Sequence, residues 1–332
     1  MNDLLQLIPK LRGKRIGVFG DLIADEYVYG TIHRFSREAP VFIVNYEESQ
    51  IGPGGAANAV NNIHELGGVP IPFGFLGDDY AGRTLHAVLK EKGIRTDGIL
   101  TDASLSTFVK QRVVAGSPHS VKQQILRIDR CFPLAGNAEY HTRLIERAKS
   151  MFNELDALIV SDYGLGVAQS NLLSPILQEL KNRGVPCLVD SRQNLRAYRG
   201  IAAATPNEPE VEAMIGQFID SSNLVSCGTE LLQTLQADSI LITRGKNGMA
   251  LFTKNDDPKM IPIFGTTEIV DVTGAGDTVI STFALALTAG ASYYNAARLA
   301  NCAAGIVVMK RGAATVTAHE LSEAIRVASM QK

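Results

Sequence analysis

The sequence predicts an α/β fold: a doubly wound, mostly parallel sheet flanked by helices, with a small β-sheet lid. Two observations predict the sheet and its helices: short apolar runs of strand length recur along the chain, and segments with helical periodicity separate them. Such alternation favours parallel strands joined by crossover helices, with ligands gathering at the carboxyl ends of the strands. A third observation predicts the lid. Segments 23–46 and 105–128 alternate apolar with polar residues, the pattern of half-exposed antiparallel strands.

In chain order, MNDLLQLIPKLRGKR has leucines spaced for a short amphipathic helix and lacks the apolar core and cleavage site of a secretory signal, so a cytoplasmic location is expected. Strands are predicted at 15–19, 71–76, 157–160, 187–189 and 239–243, and helices at 55–67, 80–92, 139–152, 169–183 and 222–236. After residue 276 the chain reads as mainly helical. Within the lid segments, Val41 and Ile43 alternate with Phe42, Val44 and Tyr46, while Phe108, Lys110 and Arg112 take the face opposite Val109, Gln111 and Val113. Together the two segments predict one small sheet, discontinuous in sequence, projecting from a single domain over 1–332 and suited to cover a ligand; an ordinary surface hairpin fits the same pattern. Exposed strands of this kind also offer a homodimer surface.

Hydrophobic residues form 45% of the chain and charged residues 20%, an ordinary globular balance that argues against disorder. A formal charge of -2 gives no global attraction to nucleic acid or an anionic membrane, so a small polar partner fits better. The longest apolar stretch, 283–291, falls short of the roughly 20 residues a membrane span needs. Cys131, Cys187, Cys227 and Cys302 are widely separated, without C-x-x-C spacing, and read as reduced structural thiols. The six scattered histidines suggest neither a metal nor a histidine-centred catalyst.

The strongest chemical signal is Asp271-Val272-Thr273-Gly274-Ala275-Gly276-Asp277, a loop opening an apolar helix. Glycines let backbone N–H groups approach an anion, and the helix N-terminus adds attraction for phosphate. A carboxylate beside those donors can accept the proton of a hydroxyl as its oxygen attacks phosphorus, which is the role open to Asp277. The same letters also suit a tight turn with a helix-capping Asp. Asp21 follows an apolar strand and could meet sugar hydroxyls, or cap a turn. Gly52-Pro53-Gly54-Gly55-Ala56-Ala57-Asn58-Ala59 is a glycine-rich lead into a helix. Its Gly52, Gly54 and Ala57 also fit a dinucleotide fingerprint with Asp78 or Asp79 as the ribose-binding acid, although the upstream 45–50 stretch is too polar for a buried strand. Pro206-Asn207-Glu208-Pro209-Glu210 and Thr243-Arg244-Gly245-Lys246-Asn247-Gly248 complete the set, the first a natural helix cap and the second a natural hairpin turn.

In chain order, the glycine-rich, N-x-x-E, T-x-G-x-x-G and D-x-T-G-A-G-D segments resemble the ribokinase-like (PfkB) carbohydrate kinases over almost the whole chain. The resemblance implies ATP-dependent transfer of a phosphoryl group to a sugar. It assigns Asp277 as base and the Gly274, Ala275 and Gly276 N–H groups as the anion hole. Gly54, Gly55 and Asn58 would face the sugar, Thr243, Gly245, Gly248 and Asn301 the nucleotide, and Asn207 with Glu210 the phosphates and magnesium, the latter largely through water. Asp271 and Thr273 become candidates for a monovalent cation such as potassium.

Four segments, 20–27, 35–41, 161–166 and 190–192, further resemble the heptose 7-phosphate kinases of ADP-heptose biosynthesis. That subfamily has D-P-K where this chain has Asp190-Ser191-Arg192, and D-Y-A-K-G where it has Asp162-Tyr163-Gly164-Leu165-Gly166. The acceptor implied is the anomeric hydroxyl of D-glycero-D-manno-heptose 7-phosphate. A phosphorylated acceptor needs a cationic anchor, for which Arg192 is the first candidate and Lys110 and Arg112 are supplements. Some relatives carry a fused nucleotidyltransferase with an H-x-G-H motif; none occurs in these residues, so nucleotidyl transfer is expected elsewhere.

Overall fold

The computed structural model describes residues 1–330 apart from 119, 132–133, 135–137 and 267–268, so one position of the predicted lid lies outside the described residues. The strands are β1 Arg15–Gly20, β2 Leu22–Phe35, β3 Phe42–Gly55, β4 Val69–Gly77, β5 Ile99–Asp102, β6 Phe108–Gly116, β7 Gln123–Arg130, β8 Ala157–Asp162, β9 Cys187–Ser191, β10 Ala203–Ala204, β11 Ser239–Thr243, β12 Met249–Thr253 and β13 Lys259–Ile261. The helices are α1 Asn2–Leu11, α2 Ala56–Glu65, α3 Tyr80–Glu91, α4 Ala138–Ser150, α5 Ser170–Asn182, α6 Glu208–Ile215, α7 Leu224–Leu235, α8 Ala275–Thr288, α9 Tyr293–Val307 and α10 Ala318–Met330.

Among the described residues the main sheet has nine strands in the order β13-β12-β11-β10-β9-β8-β1-β4-β5, parallel from β11 to β5 with β12 and β13 antiparallel at one edge. Strand alternation divides the apolar residues between two cores. Ile16 and Val18 of β1 and Ile159 of β8 join a core with α1, α2, α8, α9 and α10, while Phe19, Leu158 and Val160 join one with α4, α5 and α7. Each core keeps water from one face of the sheet, which explains why the central strands read as continuous apolar runs. In α1, Leu4, Leu7, Ile8 and Leu11 lie on one buried face, as the leucine spacing predicted.

The second sheet has the order β3-β2-β6-β7, with β2 and β6 parallel to each other and the outer strands antiparallel. It is longer than the sequence suggested: β3 runs through the polar 45–50 stretch to Gly55, and β7 reaches Arg130. As an edge strand exposed along much of its length, β3 has no continuous buried face to impose alternation. The glycine-rich 52–55 segment is therefore the end of a lid strand rather than a loop after a buried parallel strand. Asp79 caps α3 by accepting from the Gly82 N–H at 2.8 Å, and Asp78 pairs with Arg83 at 2.7 Å. The dinucleotide fingerprint has neither its strand nor its free acid.

Cys187 and Cys302 are buried, and burial pushes both thiols up to about 12, so neither is a ready thiolate. No described helix is long and apolar enough to cross a membrane.

The far edge of the sheet supplies a packing test. A Cβ at Gly228 of α7 would stand 2.2–2.5 Å from ring atoms of Phe252, itself fully buried on β12. Gly-to-Ala in a helix interior usually stabilises by about 1 kcal/mol, whereas overpacking costs about 1–3 kcal/mol. Because the ring is enclosed, overpacking should win: Gly228→Ala is expected to lower unfolding free energy by about 1–2 kcal/mol in urea titration. A variant at least as stable as the parent would mean the ring can yield.

Candidate active site

Helix α8 begins where Gly274 takes a left-handed φ of 78°, directing the next residues into the helix and bringing Asp277 into its first turn. A Cβ at Gly274 would lie 2.4 Å from Asn58 Nδ2, so only glycine allows this approach. Asp277 is 3% exposed. Its Oδ2 accepts from Asn58 Nδ2 at 2.7 Å and its Oδ1 from Tyr163 Oη at 2.8 Å. Burial raises the carboxyl to about 6, opposed by these two hydrogen bonds and by Arg192. At neutral pH the carboxylate is mostly ionised and able to take up a proton.

Asn58 is held by α2's own structure. Asn62 Nδ2 donates to the Asn58 backbone carbonyl at 2.9 Å and to its Oδ1 at 3.3 Å, while Thr278 Oγ1 of α8 donates to Asn62 Oδ1 at 2.8 Å. The Asn58 amide thus engages the Asp277 carboxylate, a contact the sequence did not suggest beside the sugar role expected of it. Asn62, unremarked in the sequence, locks the arrangement.

Three expectations change. Asp21 is fully buried and accepts backbone N–H bonds from Tyr163, Leu165 and Val167 at 2.8, 3.2 and 3.1 Å. It clamps the 163–167 loop instead of facing a sugar. Ala275 N–H donates to the Val272 carbonyl at 3.2 Å, leaving the expected Gly274 and Gly276 N–H groups, with that of Asp277, as donors at the helix start. Arg112 forms a buried ion pair with Asp25 at 2.9 Å and is committed to the lid rather than available as a phosphate anchor.

Asp25 is the acid the sequence reading passed over. It is 4% exposed and lies against Gly54, where a Cβ would come within 2.5 Å of its carboxyl carbon. Gly55, with φ 55°, closes onto the Asp21 carbonyl, so both glycines serve the close packing of β2 on β3.

A cavity of about 340 Å³ opens beside Asp277 and gathers Thr243, Gly245, Gly248 and Asn301 with Arg192, Asn207 and Glu210. The carboxyl ends of β9 and β11 and the start of α8 meet here, as expected for a doubly wound sheet. Asn207 and Glu210 form a reciprocal capping box on α6: Asn207 Oδ1 accepts from Glu210 N at 2.8 Å and Glu210 Oε2 from Asn207 N at 2.9 Å. Capping and cavity lining therefore coexist, and burial raises the Glu210 carboxyl. Asn301 Nδ2 donates to the Pro262 carbonyl at 2.8 Å. The hairpin reading of 239–253 also holds, with Thr243 opposite Met249. Asp190, another carboxylate on the cavity, is pushed well up by burial and by Glu210 and Asp277.

Asp271 uses its two oxygens on the Thr273 and Gly312 N–H groups, both at 2.9 Å, tying the catalytic loop to the 312–314 turn. Lys110 and Arg192 converge on Tyr163, with Lys110 Nζ 4.6 Å and Arg192 Cζ 4.1 Å from the ring centroid. Neither has a carboxylate within ion-pair distance among the described residues. Arg127 instead pairs with Asp129 at 2.8 Å.

A doubly wound sheet, a second small sheet and a buried carboxylate at a helix start frame the cavity, and the family follows from similarity to known proteins. Residues 16–320 match the model of the pfkB family carbohydrate kinase. The chain belongs to that family and is a phosphotransferase with a sugar hydroxyl as acceptor, a chemistry that uses ATP and a divalent metal. It is 39% identical over 309 residues to the bifunctional protein HldE of Desulfatibacillum aliphaticivorans, covering 92% of this chain and 62% of that protein. Over 327 residues it is 39% identical to the bifunctional protein HldE of Pseudomonas syringae, covering 96% and 65% respectively. The chain thus spans a little under two thirds of the length of these relatives. Its fold is similar to phosphofructokinase-2 from Escherichia coli, solved with potassium, at TM-score 0.75 and 15% identity over 96% of this chain and 99% of that one. Arabidopsis thaliana ribokinase, complexed with ribose and ATP, matches at TM-score 0.71 and 19% identity over 95% and 99%.

The two lid cations make a direct stability contrast. Arg112→Met would leave the Asp25 carboxylate buried without its partner and is expected to cost about 3–5 kcal/mol in urea unfolding. Lys110→Met should cost less than about 1 kcal/mol, since no ion pair is broken. Equal losses would refute the division of labour between these two cations.

Proposed function

We propose that this chain transfers the γ-phosphoryl group of ATP to the anomeric hydroxyl of D-glycero-D-manno-heptose 7-phosphate, giving the 1,7-bisphosphate. The observation carrying the reaction type is the buried Asp277 carboxylate beside the first turn of α8, facing a cavity lined by the nucleotide-side segments. Support for a phosphorylated acceptor comes from Lys110 and Arg192. Burial and the neighbouring Arg192 lower the Lys110 pKa, against the pull of Asp25, Asp129 and Asp277, a sign of two cations crowded together with no ion pair to either. An anion on the substrate would relieve that repulsion. The four heptose-kinase-like segments and the HldE relatives support the particular sugar.

In the proposed step the acceptor hydroxyl gives its proton to Asp277 while its oxygen bonds to the γ-phosphorus. The bond from that phosphorus to the bridging β,γ-oxygen breaks, and ADP leaves with the electron pair. The Gly274, Gly276 and Asp277 N–H groups would stabilise the charge that builds on the moving phosphoryl group. The acidic lining fits magnesium: Glu210 and Asp190 are the carboxylates that would hold it, through water. Magnesium, when bound, neutralises charge on the phosphate oxygens. Asp271 and Thr273 retain lone pairs for a potassium ion, a reading supported by the potassium complex of phosphofructokinase-2. The lid would exclude water that could otherwise take the phosphoryl group.

The proposed assembly is a homodimer through the lid. Phe35 and Phe42 pack ring to ring at 4.8 Å, yet are 61% and 49% exposed, and Leu126 on the other edge strand is 53% exposed. Apolar side chains clustered on an open-edged sheet favour pairing with a second copy.

Two measurements test these readings. ADP release with Mg-ATP should be confined to the heptose 7-phosphate within a panel also holding sedoheptulose 7-phosphate, fructose, fructose 6-phosphate, ribose and adenosine, and Asp277→Asn should lower it at least about 10³-fold with ATP binding intact. Turnover only with another acceptor would discard the heptose assignment, and an active Asp277→Asn would discard the base. In sedimentation velocity the parent should run as a dimer and the Phe35→Ser/Phe42→Ser variant as a monomer; a monomeric parent would overturn the lid interface.

A further inference from the structure

Tyr163 stands where three parts of the site meet. Its backbone N–H is clamped by the buried Asp21 carboxylate at 2.8 Å, its hydroxyl donates to Asp277 Oδ1 at 2.8 Å, and its ring lies against both Lys110 and Arg192. The residue follows β8 directly, and the clamp on Leu165 and Val167 fixes the turn that carries it. We propose that Tyr163 is a positioning residue for phosphoryl transfer: its hydroxyl holds the Asp277 carboxylate in register for the acceptor, and its ring spaces Lys110 and Arg192 for the substrate's anionic group. This inference rests on Asp277 being the base.

The geometry separates the two jobs. With Tyr163 on one carboxylate oxygen and Asn58 on the other, Asp277 cannot rotate without losing a charge-assisted hydrogen bond. The second lone pair on each oxygen remains for the acceptor hydroxyl. Both donors favour the ionised form, so removing one disfavours it. The ring acts independently of the hydroxyl. Its electron-rich face attracts two cations that repel one another, holding them beside the base without neutralising either, as a carboxylate would.

The charged and titratable groups acting on Asp277 come from every surrounding element: Asp25 of β2, Lys110 of β6, Tyr163 after β8, Asp190 of β9 and Arg192 just beyond it. Asp277 itself lies near 6, so kcat/KM should fall below about pH 6 as the base takes up a proton. Loss of the Tyr163 hydroxyl raises that carboxyl further and moves the acid limb to higher pH. Asp190 and Glu210 are cavity carboxylates also raised by burial, and neither makes a hydrogen bond to Tyr163 among the described contacts.

The experiment is the pH profile of kcat/KM for the acceptor in Tyr163→Phe. The acid limb should move up by about one pH unit, a loss of about five- to tenfold between about pH 5 and 6 but under about threefold on the plateau. Acceptor KM should stay within about twofold because the ring remains, whereas Tyr163→Leu should raise it about tenfold. Incorporation of 3-fluorotyrosine at position 163 keeps the shape while strengthening the donor, and should move the limb down; it also serves if the phenylalanine variant folds poorly. A limb that responds to the Tyr163 hydroxyl belongs to Asp277, the carboxylate that accepts from it. An unmoved limb in both Tyr163 replacements or a loss uniform across pH would overturn the proposal. An Asp277→Asn variant that still turns over would instead overturn the base reading beneath it, so the two failures are distinguishable.

Discussion

The site depends on keeping one carboxylate charged where water is nearly absent. Asp277 lies at the start of α8, whose following residues are buried between α2 and α9, and removing the acid from water would by itself favour the neutral form. Two hydrogen bonds resist that tendency, and each donor belongs to a different part of the fold: Asn58 to α2, Tyr163 to the loop after β8. The carboxylate therefore keeps both donors only while α2, α8 and the central strands keep their spacing. The Asn62–Thr278 bond and the bond from Ser281 Oγ to the Ala59 carbonyl at 3.1 Å join α2 to α8 just beyond it, and so belong to its support.

Asp21 shows the same chemistry put to a different end. It too is raised to about 6 by burial, with three backbone N–H groups opposing the shift. Because those donors are main-chain groups of one loop, its consequence is loop geometry rather than proton transfer. Asp277 is held by side chains and borders a cavity; Asp21 is sealed from it. Similar burial thus produces a clamp in one case and a candidate catalyst in the other, according to what each carboxylate can still reach.

Much of the fold was legible because periodicity reports local burial. The central strands and flanking helices fell close to their predicted positions, and the D-x-T-G-A-G-D segment marked the loop before α8. The polar half of β3 was not legible, since a strand exposed on both faces carries no alternating signal. Long-range partnerships were hidden for a different reason. Asn58 meets Asp277 across 219 residues, Tyr163 meets it across 114, and the engagement of Arg112 by Asp25 depends on β2 and β6 lying side by side. A sequence displays donors and acceptors but not their pairing, so Arg112 and Lys110 look interchangeable until one is seen to be neutralised. Asp25 had no signal beyond its place on the predicted lid.

That difference between two lid cations links the structural and chemical halves of the molecule. Arg112 and Asp25 sit on adjacent parallel strands, and their mutual neutralisation allows both to be buried within the lid. Lys110 lies two residues before Arg112 on the same strand but reaches Tyr163, where Arg192 already adds positive charge. Lid position and site potential are consequently coupled: moving β6 away would carry a cation away from the base, and an anionic substrate would favour the arrangement that keeps it near. On the proposed reading, the substrate's own phosphate helps stabilise the closed lid, and the closed lid in turn shields the phosphoryl group from water. Substrate charge and water exclusion then become two consequences of the same contact.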